Sequence, residues 1–365
     1  MLQHQKLAKI RAEIRKKQIK RLRLIWNKPA FMQKLPNQTG KLLLSTEEEL
    51  FALAVSKNHA FRKLKKIINF KKLARPLREL YSSLGPIGID TEKGLKMLIL
   101  QFWKDYSDRQ METALQENLA IKWFCLFSLT EKTPDHSYFS KLRKRIGTKR
   151  IQSIFNQINQ ILEQHGLFSN LFTFIDASAI ITKTALWKER DKAIKKGEDK
   201  LNNLNVNQYS SDKEAKWGAK SKNKIWFGYK RHHSVDMKHG LVKKVKATPA
   251  NLPDFKVLKD ICPNKTSVLA DKAYDCKVAN QILKQRKCHN AIIKKNNNKN
   301  KNKDLDKWLT KIRMPFEGTF SKLRRRAKFR GSEKVNFQCI LEAICHNLKK
   351  AVILYLLTEY HCLAD

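Results

Sequence analysis

A chain of 365 residues with 76 Lys and Arg against 33 Asp and Glu carries a formal net charge of +43. Charge of that size speaks to partners before it speaks to fold, and counterion release on meeting phosphate predicts salt-sensitive binding to DNA or RNA. Hydrophobic residues at 42% allow a packed core, which excludes a mere basic tail, and the longest apolar run near the C-terminus, Ala351–Leu357, is far short of the ~20 residues of a membrane-spanning helix.

The N-terminal MLQHQKLAKIRAEIRKK is charged throughout and has no apolar stretch of signal-peptide type, so a cytoplasmic, nucleoid-associated protein is expected. Seven scattered cysteines, none spaced C-x-x-C, argue for reduced thiols rather than a disulfide framework or a zinc site.

In chain order, residues 1–60 read as a basic helical arm, with a charged helix at Lys6–Lys20, and residues 61–150 as a helical N-terminal DNA-binding domain. Apolar residues recur at helical spacing in Glu47–Lys57, Phe70–Ser82 and Gly94–Tyr106, the last with an N-cap at Asp90–Thr91. Ser107 and Asp108 open a helix to Asn118, and another covers Ile121–Ser128. Thr133-Pro134-Asp135 predicts a cap followed by proline at the first helical position for Tyr138–Ile146. That helix carries Lys141, Arg143, Lys144 and Arg145 and has the shape of a helix-turn-helix reader; a core helix with a solvated basic face fits equally.

A catalytic domain is expected over residues 165–357. Its first strand is read at Leu171–Ala179. Lys183–Lys224 is polar and nearly free of strand signal, so an insertion or long loop is expected at 183–224, with a helix at Leu186–Leu204. Ile225–Val235 and Leu241–Thr248 predict a β-hairpin turning at Asp236–Gly240. A short helix at Asp254–Ile261, a strand at Ser267–Tyr274, a helix Cys276–Lys287 capped by Asp275 and a strand at Asn290–Lys294 follow. Residues 294–303 (KKNNNKNKNK) are expected to form a low-complexity loop, and helices to continue, with breaks, from Asp304 to Tyr360. Strand, hairpin, helix, strand, helix, strand, helix is the order of a ribonuclease H-like mixed sheet. The fold class expected is therefore α/β: a ribonuclease H-like domain preceded by a mostly helical domain, with a C-terminal helical segment.

Three acids stand in apolar or basic surroundings: Asp176, read as ending the apolar strand in FTFIDAS, Asp271 at the end of SVLAD, and Glu317 in MPFEGTFSKLRRR. Carboxylates are expensive to half-bury without a cation, and two or three of them suit Mg2+ or Mn2+, which drive in-line displacement at phosphorus. Each acid alone has a plain alternative. Asp176 and Asp271 are acceptable in exposed loops at strand ends, and Glu317, two residues after Pro315, suits the start of a helix. Between Ser321 and Arg330, Lys322, Arg324, Arg325, Arg326, Lys328 and Arg330 predict a helix-borne basic stripe facing DNA or, alternatively, solvent.

Taken together, Leu171–Ser178, Trp226–Asp236, Ala247–Asp254, LADKAYD and RMPFEGTFSKLR resemble the DDE transposases of insertion sequences, especially the group typified by insertion sequence five and related to that of insertion sequence four. Ser107–Gly147 is similar to the N-terminal domain of the same transposases. The resemblance runs from about Phe61 to Ala351 with the motifs in the family's order. It implies a ribonuclease H-like domain in which Asp176, Asp271 and Glu317 bind two Mg2+ ions, with Mn2+ able to substitute, and in which element ends are bound, cut and joined to target DNA. It also implies a homodimer in the active complex and no membrane partner. In the related group's longer signature Arg313 and Glu317 match, while Thr310 stands for the tyrosine and Arg324 for the lysine. Phosphate contacts are expected from Lys230, Arg231, Lys272, Arg313, Lys322, Arg324, Arg325 and Arg326, and from Lys141, Lys144 and Arg145. A domesticated DNA-binding protein without catalysis, and a metal-dependent nuclease without strand transfer, are the competing expectations.

Overall fold

The computed structural model describes residues 46–82, 88–182, 186–197, 201–221, 224–298, 301–321 and 323–361, with side chains except at 186–190, 221, 317, 319–321 and 355–361. The expected helix Lys6–Lys20 and the residue Lys322 lie outside the described residues. Residues 47–365 form one unit and residues 1–46 another.

Six helices open the larger unit: α1 (Glu47–Ala54), α2 (Ala60–Ile67), α3 (Phe70–Ala74), α4 (Thr91–Trp103), α5 (Asp108–Glu117) and α6 (Leu119–Phe124). Side-chain caps set their starts. Asp90 accepts from the Glu92 amide, and Ser107 with Gln110 forms a reciprocal capping box. Pro76 falls in a 3-10 turn, Arg75–Leu80, that ends the expected Phe70–Ser82 helix early. Helix α7 (His136–Gln164) begins differently from expectation. Asp135 supplies the capping oxygen, to the amides of Ser137 at 2.7 Å and Tyr138 at 3.2 Å, so Pro134 stands before the cap and not inside the helix. The helix kinks at Gly147, whose φ of 67° and ψ of 170° only glycine adopts without strain.

The sheet is built from β1 (Phe172–Ile181), β2 (Lys216–Ser221), β3 (Lys224–Asp236), β4 (Val242–Pro249), β5 (Ser267–Ala270) and β6 (His289–Ile292). Strand β3 runs antiparallel to β1 and β4, while β5 and β6 run parallel to β1. The resulting order β4-β3-β1-β5-β6 is that of a ribonuclease H-like sheet. At Gly228 of β3 the backbone passes so close to β1 that a Cβ would lie 2.2 Å from the Ile180 carbonyl oxygen, and φ is +149°. No other residue fits there.

Strand β2 corrects the expectation of a strand-free 183–224. The segment contains α8 (Leu186–Lys195), α9 (Val206–Tyr209) and this edge strand, which pairs with the first half of β3. Six residues with three polar positions carry too little alternation to announce a strand. Pairing and the packing of Trp217 on Phe227, 5.3 Å between ring centroids, supply what the local sequence lacks.

Helices cover both faces. On one side lies a 3-10 turn, Asp254–Val257, with α10 (Leu258–Ile261) and α11 (Lys277–Gln285), enclosing Ile175, Val268, Ala270 and Leu283. On the other lie α7, α12 (Lys303–Ser321) and α13 (Ser332–His361). Helix α13 contacts β4, α7, α4 and α2, so the N-terminal helices and the sheet share one continuous core from Phe61 to Val352. Its amides also close the outer edge of β4: Asn347 bonds both backbone groups of Val242 at 2.8 Å, and Asn336 accepts from the Ala247 amide at 2.9 Å.

Two further expectations change. Asp275 does not cap the helix after it. Its carboxylate accepts from the Lys295 amide and the Asn298 side chain and pairs with Lys294, so it ties down the start of the asparagine-rich loop. The expected basic stripe Ser321–Arg330 is not helical from Leu323 on. Ile181 donates to the Arg325 carbonyl at 2.7 Å and accepts from the Ala327 amide at 2.8 Å, so the end of β1 takes the backbone groups that a helix would need.

Candidate active site

Asp176 lies in the middle of β1 and not at its end, because β3 continues to pair with β1 as far as Ile181. Its neighbour strand ends there instead. The parallel register sets Ile175 beside Ala270, so Asp176 and Asp271 occupy the next rung, where β5 stops. Residues level with each other in a parallel pair share a face of the sheet, about 4.8 Å apart along the hydrogen-bonding direction. Two carboxylates from distant parts of the chain thus come side by side.

Their environments differ. Asp176 is half-buried, and its carboxyl is pushed up to about 6 by burial, with the Asp271 charge adding to the effect; the Ala177 amide, Lys220 and Arg313 oppose it. Asp271 has a more open side chain, 44% exposed, and accepts from the Lys272 amide at 2.6 Å, capping the 3-10 turn Lys272–Tyr274. Arg313 of α12 approaches Asp271 at 3.9 Å and lies over the Phe174 ring, 5.7 Å from its centroid. Helix α12 starts at Lys303, so Glu317 sits late in it, one turn beyond Arg313, with Pro315 inside the helix and not at its first position. The helix-start explanation for Glu317 is therefore withdrawn.

Beside Asp271 opens a cleft of about 850 Å3. Lys272, Lys294, Lys301, Lys303, Lys307, Lys311 and Arg313 line it, against Asp271, Asp304 and Asp306. Helical spacing puts Lys303, Lys307 and Lys311 along one exposed stripe of α12, and Trp308, 55% exposed, stands next to it. Thr310 also lines the cleft and donates to the Asp306 carbonyl at 2.7 Å.

Several expected phosphate contacts are elsewhere. Arg231 is completely buried, ion-paired with Glu342 and donating to the Cys339 sulfur at 3.3 Å and the Arg324 carbonyl at 2.9 Å. It braces β3 against α13 and the basic loop, and offers nothing to a ligand. Lys230 is held by Asp254 at 2.9 Å and by the Leu252 carbonyl. Arg324 pairs with Asp105, which Lys328 also meets at 2.9 Å; the acid missing from the local sequence comes from the segment between α4 and α5. Arg325 and Arg326 are exposed in the loop, and Lys141, Lys144 and Arg145 are exposed on α7, Arg145 over the Tyr81 ring at 4.5 Å. Lys272 is exposed at the cleft. Sequence reasoning missed Lys220, whose nearness to the acids is purely tertiary, Tyr274, which lies three residues after Asp271 and was legible beside it, and the α12 lysines, whose four-residue spacing was legible.

Asp176 and Asp271 are hard oxygen donors with an excess of negative charge at one point, and they fit a divalent cation better than a soft metal. Among the described residues no group of three His, Cys, Asp or Glu is gathered into one cluster, and no helix is long and apolar enough to cross a membrane.

Two family descriptions match the chain: a transposase domain (DUF772) over residues 49–145 and a transposase DDE domain over residues 171–348. The sequence is 30% identical, over 230 residues, to the transposase for insertion sequence element IS1106 of Neisseria meningitidis serogroup B, spanning 59% of this chain and 77% of that relative. Among solved structures, the piggyBac transposase synaptic complex with hairpin DNA aligns with a TM-score of 0.33 and 9% identity, over 83% of this chain and 75% of that one. The Mos1 transposase paired-end complex with left transposon end aligns at 0.17 and 8%, over 75% and 81%.

Proposed function

Because the chain belongs to the DDE transposases of insertion sequences, we propose that it binds the ends of its own element, cuts them and joins them to target DNA, with Asp176, Asp271 and Glu317 as the catalytic acids. The observation that carries this reading is the rung shared by Asp176 and Asp271 at the lip of a basic cleft. Members of this class use divalent metal ions; we assign Mg2+, with Mn2+ able to substitute, to these acids. The bound ions would neutralise charge on the scissile phosphate and make the attacking hydroxyl more acidic.

The chain's own residues do the remaining work. Arg313 holds Asp271 in place from the helix that also carries Glu317. Lys272 and the stripe Lys303, Lys307 and Lys311 supply a path for the phosphate backbone, which Arg325 and Arg326 extend. The helical region 61–150 is assigned to DNA binding, through the exposed Lys141, Lys144 and Arg145 of α7.

Asp271→Asn keeps volume but removes charge. Cleavage of an end-bearing duplex and strand transfer should both fall by orders of magnitude, about 10²-fold or more, while binding of the same duplex stays within a few-fold or tightens as repulsion from phosphate is relieved. Intact cleavage by this variant would remove Asp271 from the site. Retained cutting without joining in the unaltered protein would make it a nuclease, and binding without either would make it a DNA-binding relic.

A further inference from the structure

Tyr274 closes the turn that Asp271 opens: its amide donates to the Asp271 carbonyl at 2.9 Å. The ring is buried, 1% exposed, beside Val257, Leu258 and Ala270. Its hydroxyl is enclosed and has no hydrogen-bond partner among the described residues. Tyr229, equally buried, shows the ordinary outcome, with its hydroxyl donating to Asp212 at 2.8 Å. A sequestered phenol without an acceptor is destabilising, and the Tyr274 amide bond to the Asp271 carbonyl sets the ring one turn from the acid pair. The turn carrying Tyr274 packs against the turn that begins at Asp254, and burial holds its phenol well above the ordinary range, with the charges of Asp254, Asp176 and Asp271 adding to the effect. Asp254 is already taken by Lys230 at 2.9 Å, and Asp271 by the Lys272 amide and Arg313.

We propose that Tyr274 is a positioning residue of the acid pair, whose hydroxyl donates to an oxygen of Asp176 or Asp271 turned away from a bound divalent cation. Carboxylates that ligate a cation are themselves oriented by hydrogen bonds from behind, and Tyr274 is a buried donor one turn from this pair with no hydrogen-bond partner among the described residues. The inference rests on the assignment of these acids as cation ligands. It makes the hydroxyl a liability without the cation and an asset with it.

The test is thermal unfolding of the full chain and of Tyr274→Phe, in a chelator and across a titration of Mn2+ or Mg2+. Without cation the variant should be as stable as the unaltered protein or more so, because the ring is kept and the orphaned hydroxyl is gone. With cation, the concentration giving half of the stabilising shift should rise several-fold. In cleavage assays the variant should lose kcat while KM for the DNA end is unchanged. A variant less stable in chelator would mean that the hydroxyl is already bonded, and an unchanged cation response would mean that it plays no part; either overturns the proposal. Asp271→Asn separates the two readings. If that substitution abolishes the cation shift while Tyr274→Phe leaves it untouched, only the role of Tyr274 fails. If Asp271→Asn leaves the shift intact, the acid site falls and the inference with it.

Discussion

At the scale of single residues, the electrostatics of Asp176 predict a pH signature. A carboxyl raised to about 6 by burial, with Asp271 beside it, binds its proton more tightly in the folded chain than in the unfolded one, where it titrates at about 3.9. Its contribution to stability is therefore fully present below about pH 4 and is lost as pH rises through about 6. Asp176→Asn should consequently raise stability at neutral pH in the absence of divalent cations by roughly 2–3 kcal/mol, with the gain shrinking towards acid. Denaturant midpoints for both proteins in chelator at mildly acidic and neutral pH would check this, and an equal gain at both pH values would rule out the electrostatic explanation. His232 works on the opposite limb. Burial, with Lys230 adding and Asp254 opposing, lowers it to about 4, so its share of stability is lost as pH falls from about 6.5 towards 4.

At the scale of elements, the loop from Leu323 to Gly331 is anchored from three directions. The Arg325 and Ala327 backbones bond the end of β1, Arg231 donates to the Arg324 carbonyl, and Gln338 of α13 bonds both the Lys328 amide and the Arg326 carbonyl. This fixes the loop's path while leaving Arg325 and Arg326 exposed. Asp105 meets Arg324 and Lys328 at the same loop, where a phosphate would otherwise be attracted. These are partly exposed pairs, worth about 0–1 kcal/mol each in stability. Asp105→Asn should therefore leave the melting temperature nearly unchanged while tightening DNA binding at fixed salt by a few-fold. Weaker binding by this variant would show that Asp105 instead holds Arg324 and Lys328 where DNA needs them.

At the scale of the whole molecule, the excess charge becomes a surface with a direction. The lysine stripe of α12 leads along the cleft towards Asp271, and α7 presents a second basic face. If the stripe tracks a phosphate backbone, replacing Lys303, Lys307 and Lys311 together with alanine should flatten the dependence of log K on log salt by about 2–3 for duplex DNA. An unchanged slope would exclude the cleft as a DNA path. Because α13 is packed between the sheet and the N-terminal helices in one continuous core, the two regions are coupled by apolar contact and not only through the chain.

The family motifs and most of the elements are legible in the residues alone. Caps such as Asp90 and Ser107, the hairpin ending at Gly240 and the strands around Phe174 and Val268 are local matters of hydrogen-bonding side chains, turn residues and apolar alternation. Whatever depends on partners far away in the chain is set by the fold. Asp176 is a mid-strand residue because β3 continues to pair with β1; Lys216–Ser221 is a strand because β3 offers an edge. The run from Leu323 is a loop because β1 takes the Arg325 and Ala327 backbone bonds. Arg231 is buried because Glu342 and Cys339 meet it, and Arg324 is neutralised by an acid more than two hundred residues away. Local patterns report a residue's own preference, and a charge or a backbone group takes its final role from whatever the fold brings to it.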